Sequence, residues 1–149
     1  MKIAVTGGTG YVGAHTTLAL LSAGHTVRLL VLPAESPDAL LAAAGGNDAA
    51  RIEQVVGDIR DTQAVGRLLE GCDALLHAAG VVGTDDRREQ LMWEINTQAT
   101  AAILTRATFL GLDPIIHVAS FSALFPSPDA RHRTGQSDGV GPQRVRPHQ

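Results

Sequence analysis

The segment Thr6-Gly7-Gly8-Thr9-Gly10-Tyr11-Val12-Gly13 follows an apolar run, Ile3-Ala4-Val5, and leads into a helical pattern that begins near Tyr11. A strand that enters a helix through glycines gathers unpaired N–H groups and partial positive charge at one spot, and a pyrophosphate can approach there because no Cβ obstructs it. Gly8, Gly10 and Gly13 satisfy G-x-G-x-x-G, and Gly7, Gly10 and Gly13 satisfy the wider G-x-x-G-x-x-G spacing. The context fits: Gly24 is placed as a helix C-cap, and a second apolar strand, Val27 to Leu32, comes next. The alternative is an ordinary glycine-rich strand-to-helix turn. As a dinucleotide-binding turn it offers Gly7, Thr9, Gly10, Tyr11, Val12 and Gly13 to the ligand.

Apolar periodicity predicts a strand near 2–6, a helix near 11–23 and a strand near 26–32, which together make a right-handed βαβ unit. A helical piece near 37–44, a strand near 51–56, a helix near 62–70 and a strand near 73–78 come after it. A long helix near 86–110 carries Leu91, Ile95, Ala99, Ala102 and Ile103 on one side, and Pro114 to Ala119 forms a last apolar strand. Strands that alternate with helices imply an α/β fold, a doubly wound parallel sheet of about five strands in the Rossmann-like order 3-2-1-4-5. Ligands of such sheets bind outside the carboxyl ends of the strands, where the strand order reverses. Four chemistry-bearing segments fall at those ends: Gly7 to Gly13, Gly57 to Asp61, Ala78 to Gly80 and Ala119 to Ser122.

At 149 residues and 44% hydrophobic content the chain has the length of one domain with a core. Its apolar stretches are far short of a membrane span and its start lacks a signal-type pattern, so a cytoplasmic location without a membrane partner is expected. The single Cys72 forms no internal disulfide, and a net charge of −3 gives no electrostatic reason to expect nucleic acid. Composition changes at Ser127. Beyond it Arg131, Arg133, Arg144 and Arg146 face only Asp129 and Asp138, and Ala130, Val140 and Val145 are the only apolar residues. The expectation is a domain over 1–126 and a disordered tail over 127–149.

Residues 1 to about 126 resemble the N-terminal half of the extended short-chain dehydrogenase/reductase family, the NAD-dependent epimerase/dehydratase group that includes sugar-nucleotide epimerases and hydroxysteroid dehydrogenase-like proteins. The glycine turn, Gly57-Asp58-Ile59-Arg60-Asp61, His77-Ala78-Ala79-Gly80, Asn96 and His117-Val118-Ala119-Ser120 carry the resemblance. It implies that Asp58 contacts the adenine amino group beside the Ile59 backbone, that Ala78, Ala79 and Gly80 line the ribose and pyrophosphate, and that Asn96 makes a local structural or water contact. An exposed carboxylate, helix packing and a plain polar position are the respective alternatives. For NAD against NADP, an acidic residue or an arginine is sought about 20 positions past the turn. Val31-Leu32-Pro33 stands there instead, with Arg28 inside the strand and Glu35 displaced into the loop. The resemblance leaves NAD or NADP as cofactor and favours NAD.

Family catalysis uses a Tyr-x-x-x-Lys pair, in which an ammonium helps the phenol exchange a proton near neutrality. The chain has one tyrosine, Tyr11 in the turn, and one lysine, Lys2 at the opposite end of the sheet. Ser120 is the best match to the family's catalytic serine, as a vestigial position, with Ser122 its rival. No G-x-S-x-G elbow supports a serine hydrolase and no metal-ligand spacing is present; His77 and His117 read as strand residues. The expectation is therefore a nicotinamide-dinucleotide-binding domain of an epimerase/dehydratase-type oxidoreductase, truncated or replaced beyond about residue 126 and not competent alone. A non-catalytic dinucleotide-binding regulatory protein and a non-functional gene fragment are the alternatives. The apolar strand near 114–119 is also expected to be a sheet edge through which copies self-associate.

Overall fold

Ile3-Ala4-Val5 alternates large, small and large side chains, and the strand it forms, β1 (Lys2–Thr6), sends them to opposite faces of a sheet. In β2 (Thr26–Val31), Val27, Leu29 and Val31 join Ile3 and Val5 on one face, while Leu30 lies with Ala4 on the other. The remaining strands are β3 (Ile52–Val56), β4 (Ala74–His77) and β5 (Ile115–His117). Every pairing among the described residues is parallel and the order is β3-β2-β1-β4-β5, as the alternation of strands and helices led us to expect. These observations come from a computed structural model that describes residues 1–83 and 85–120. The expected disordered tail over 127–149 and the rival Ser122 lie outside the described residues. Met1–Val118 make one compact unit; a second begins at Ala119, of which Ala119 and Ser120 are described.

A parallel sheet needs cover on both faces. On one side α1 (Tyr11–Ser22) and α2 (Asp38–Ala44) bring Leu21 and Leu40 against Val5, Val27 and Leu29. On the other, α4 (Thr62–Leu69) and α6 (Thr100–Phe109) bring Ala64, Val65, Leu68, Ile103 and Ala107 against Ala4, Leu30 and Leu75. Each of the fully buried leucines contributes roughly 1.5–3 kcal/mol through area removed from water. Helix α4 starts where Asp61 accepts a hydrogen bond from the Gln63 N–H at 2.9 Å, an N-cap that the apolar periodicity did not single out. The four-residue α3 (Gly46–Ala49), which apolar periodicity did not signal, links α2 to β3.

The long helix expected over 86–110 is corrected. It is a 3₁₀ turn (Asp86–Arg88), the short α5 (Glu89–Met92), a π-helical segment (Trp93–Ala99) and then α6. The Thr100 hydroxyl donates to the Ile95 carbonyl five residues back, at 3.1 Å, which suits the widened π turn. The extra residue per turn rotates α6 relative to a regular helix: Thr100, Ile103 and Ala107 are buried, while Ala102, expected on the core side, is exposed.

Strand β5 is shorter than the expected 114–119. Its hydrogen-bonded neighbour among the described residues is β4, and Ile116 remains 53% exposed. No helix among the described residues is long and apolar enough to cross a membrane.

Candidate functional site

Strand order reverses between β1 and β4, and the segments leaving the carboxyl ends of the strands surround a pocket of about 300 Å³. The pocket brings together eight residues expected from the sequence: Gly7, Thr9 and Gly10 after β1, Asp58 and Ile59 after β3, and Ala78, Ala79 and Gly80 after β4. Tyr11, Val12 and Gly13 are not among the lining residues. Tyr11 is 83% exposed and packs edge-on against His15, and Gly13 faces inward. Ser120 is an exposed residue of the second unit, three positions past the end of β5.

The glycines of the turn do different work. A Cβ on Gly13 would collide with the carbonyl of Gly7, and one on Gly7, whose φ is +70°, would collide with the backbone of Ala78 and Ala79. These two therefore allow α1 and the segment after β4 to close on the turn. Gly10 is the N-cap of α1, and a Cβ there would meet only the Gly7 oxygen, at 3.3 Å. The absence of a side chain at Gly10 thus keeps the pocket open rather than the turn closed. Helix α1 has no side-chain cap and no acidic residue in its first turn, and its first backbone bond runs from the Ala14 N–H to the Gly10 carbonyl at 2.8 Å. The N–H groups of Tyr11, Val12 and Gly13 precede that bond, so this end of α1 presents backbone donors rather than side chains.

The wall formed by β4 depends on a buried chain of hydrogen bonds. Thr100 Oγ1 spends its one proton on the Ile95 carbonyl, so at 2.8 Å it accepts from His77 Nε2–H. His77 Nδ1 is then an acceptor, and the Thr6 hydroxyl donates to it at 2.6 Å. Thr6 Oγ1 in turn accepts from the Ala79 N–H at 3.2 Å, which fixes the start of Ala78–Gly80 above the glycine turn. Burial, with His117 stacked 5.1 Å away, pushes the His77 imidazole down to about 4, so the ring is neutral as the chain requires. One position further on, Asn96 Oδ1 accepts from the Val81 N–H and its Nδ2 donates to the Val81 carbonyl, both at 2.8 Å. The sequence expectation of a local contact for Asn96 thus takes the form of a clamp on the pocket wall.

Asp58 caps the end of β3. Arg60 reaches it three ways: backbone N–H to Oδ1 at 2.8 Å, Nε to Oδ1 at 3.0 Å and Nη2 to Oδ2 at 2.8 Å. These bonds hold the Asp58 carboxyl below the usual carboxylate range. Arg60 Nη1 also pairs with Glu94 at 2.9 Å.

Glu35 lies in the loop after β2, and that loop folds back onto the pocket. The chain turns at Pro33, the Glu35 N–H bonds the Leu32 carbonyl at 2.9 Å, and the carboxylate returns to accept from Thr9 Oγ1 at 3.0 Å, so that Glu35 lines the pocket. Arg28 is committed elsewhere, to Glu53 at 2.8 Å and to the carbonyls of Arg67, Leu68 and Glu70. Lys2, also on Glu53, at 2.7 Å, begins β1 at the other end of the sheet. Thr6, Leu30, Leu32, Glu35, Val81 and Ile95 line the pocket without having been named as site residues from the sequence, and Thr100 supports its wall through His77. Only Glu35 carried a signal, an acidic residue a few positions late.

The fold superposes on a short-chain dehydrogenase/reductase superfamily protein from Agrobacterium tumefaciens with bound NAD, at TM-score 0.68 and 27% identity over 88% of this chain and 35% of that one. It likewise superposes on UDP-glucuronic acid 4-epimerase from Bacillus cereus in complex with NAD, at TM-score 0.70 and 25% identity over 88% and 43%. In sequence it is 31% identical over 128 residues to sterol demethylase protein B of Methylococcus capsulatus, covering 86% of this chain and 37% of that protein. It is 32% identical over 127 residues to a UDP-glucose 4-epimerase of Klebsiella pneumoniae, covering 80% and 89%. The chain spans about a third of the length of several relatives, 37% of the first and 33% of a putative dihydroflavonol 4-reductase of Synechocystis. The family model of the NAD dependent epimerase/dehydratase family matches residues 3–147, and the chain belongs to that family.

Proposed function

We propose that this chain binds NAD over the glycine turn and supplies the dinucleotide-binding part of an epimerase/dehydratase-type oxidoreductase. The observation that carries the reading is the pocket itself. An uncapped helix N-terminus with a glycine at its rim, a carboxylate at the end of β3 and a run of small residues at the end of β4 converge on one crevice. Tyr11, Val12 and Gly13 direct backbone N–H groups at the pyrophosphate, Asp58 accepts from the adenine amino group beside Ile59, and Ala78, Ala79 and Gly80 leave room for ribose and pyrophosphate. Glu35 favours NAD over NADP, because its carboxylate can accept from ribose hydroxyls and repels a 2′-phosphate, while Arg28 is held away.

When bound, the nicotinamide ring supplies a centre that accepts and returns hydride at a hydroxyl-bearing carbon, of a sugar-nucleotide or hydroxysteroid-like substrate. The chain's own contribution is binding and orientation. Its single tyrosine and single lysine, Tyr11 and Lys2, lie in the turn and at the far end of β1, so neither moves the hydroxyl proton. General acid–base catalysis is worth about 10²- to 10⁴-fold, and turnover by these 149 residues alone falls short by at least that factor.

Titration calorimetry with NAD tests the reading. Wild type is expected to bind, and Gly10→Leu, which meets little of the protein, is expected to keep the fold by circular dichroism and lose the binding signal. Equal affinity in the two proteins overturns the assignment.

A further inference from the structure

Asp58 and Arg60 are two residues apart, yet they line different hollows. Asp58 faces the nucleotide pocket, whereas Arg60 lines a neighbouring hollow of about 410 Å³ with Glu94 and Arg106. The guanidinium stands behind the carboxylate, not in the pocket. A carboxylate offers about four acceptor sites. On Oδ1 both are taken, by the Arg60 N–H and Nε, and on Oδ2 one is taken, by Nη2. One acceptor site on Oδ2 remains among the described residues, on a side chain 30% exposed. The fork of Arg60 is itself held from the other side, where Nη1 pairs with Glu94 in the π-helical segment.

We infer that Arg60 is a positioning residue for nucleobase selection: anchored by Glu94, it locks the Asp58 carboxylate so that a single Oδ2 acceptor is presented to the nucleobase, selecting a 6-amino over a 6-oxo purine. The inference rests on the dinucleotide reading above and adds to it a role for Arg60, to which the resemblance assigned none. The planar fork matters. A guanidinium fixes both carboxylate oxygens at once, which a point-charge ammonium on a flexible stem does not. Without the fork the carboxylate rotates about χ2 and turns away from a purine that has no amino group to offer.

The test compares NAD with nicotinamide hypoxanthine dinucleotide, which carries a 6-oxo group in place of the 6-amino group, by calorimetry on the full chain. Wild type is expected to bind NAD at least about tenfold more tightly, the effect of one hydrogen bond to a charged group. In Arg60→Ala the preference is expected to collapse to about twofold or less, with Arg60→Lys between. Arg60 is at the surface, its side chain 44% exposed, so both variants are expected to fold, checked by thermal unfolding. A merely structural role for Arg60 would weaken both dinucleotides by the same factor and leave their ratio unchanged; that outcome overturns the inference. So does a wild type that binds both equally. A wild type that binds neither overturns the functional reading and this inference with it, whereas binding with an unchanged ratio in Arg60→Ala overturns the role of Arg60 alone.

Discussion

The two sides of the pocket are built by different means. The turn between β1 and α1 is held by backbone packing within a dozen residues: Gly13 against Gly7, Gly10 N–H on the Gly7 carbonyl at 3.1 Å, and Ala14 N–H on Gly10. The segment after β4 is held by side chains from far away in sequence, Thr6 and Thr100 through His77, and Asn96 on Val81. A locally encoded turn is specified by glycine spacing, and at Gly7 and Gly13 it has no room for a side chain. A remotely held wall is specified by a few polar atoms and can be loosened one bond at a time. One binding site can thus have a rigid half and an adjustable half, and the two should respond differently to mutation and pH.

The largest effect belongs to the turn. Gly13→Ala forces its Cβ into the Gly7 carbonyl, and since neither backbone can move without opening α1 from β1, we expect a loss of at least about 3 kcal/mol in chemical denaturation. A variant as stable as wild type would mean that the turn is looser than its packing implies, and the contrast between the halves would disappear.

The wall should respond to pH instead. His77 titrates near 4 in the folded chain against an ordinary value of 6.5, so the unfolded state binds more protons between these values. The stabilisation from keeping His77 neutral is therefore complete above about pH 6.5 and is lost as pH falls towards 4, on the order of 3 kcal/mol in all. Protonation also adds a hydrogen at Nδ1, where the Thr6 hydroxyl already points its own. His77→Gln should flatten the slope of unfolding free energy between pH 5 and 6.5. An unchanged slope would assign the pH response to other groups.

Asn96→Ala removes two bonds from an exposed side chain, at a cost of about 1 kcal/mol. Hydrogen exchange gives the sharper measurement: the Val81 amide should exchange faster while the amides of the turn keep their protection. If both change together, the two halves are one cooperative unit.

The smallest effect on stability, within about 0.5 kcal/mol, is expected from Ile116→Lys in β5, where the side chain is 53% exposed and touches neither half of the pocket. Its readout is association. Light scattering across concentration should show less self-association than wild type, since a charge on an exposed apolar strand opposes strand pairing. Identical scattering would remove β5 as a contact between copies.

What the sequence determined by itself is whatever depends on neighbours. The apolar runs Ile3-Ala4-Val5 and Val27 to Val31 placed the first two strands, and the strand and helix rhythm gave the order 3-2-1-4-5. The eight lining residues that the motifs named were legible for the same reason, because strand ends of a doubly wound sheet converge whatever the details. Tertiary structure decided the rest. The Thr6–His77–Thr100 chain spans 71 and 23 residues, so no local pattern records it, and His77 alone reads as a plain strand residue. The π-helical segment goes with a bond from Asn96 to Val81 outside the helix and one from Thr100 to the Ile95 carbonyl five residues back, neither of which apolar periodicity weighs. Glu35 returned to the pocket through a loop whose path is set by Pro33 and by the Thr9 hydroxyl it meets 26 residues away. Apolar period is a short-range property and buried hydrogen bonding is a long-range one; the fold of this chain followed from the first, and the geometry of its site from the second.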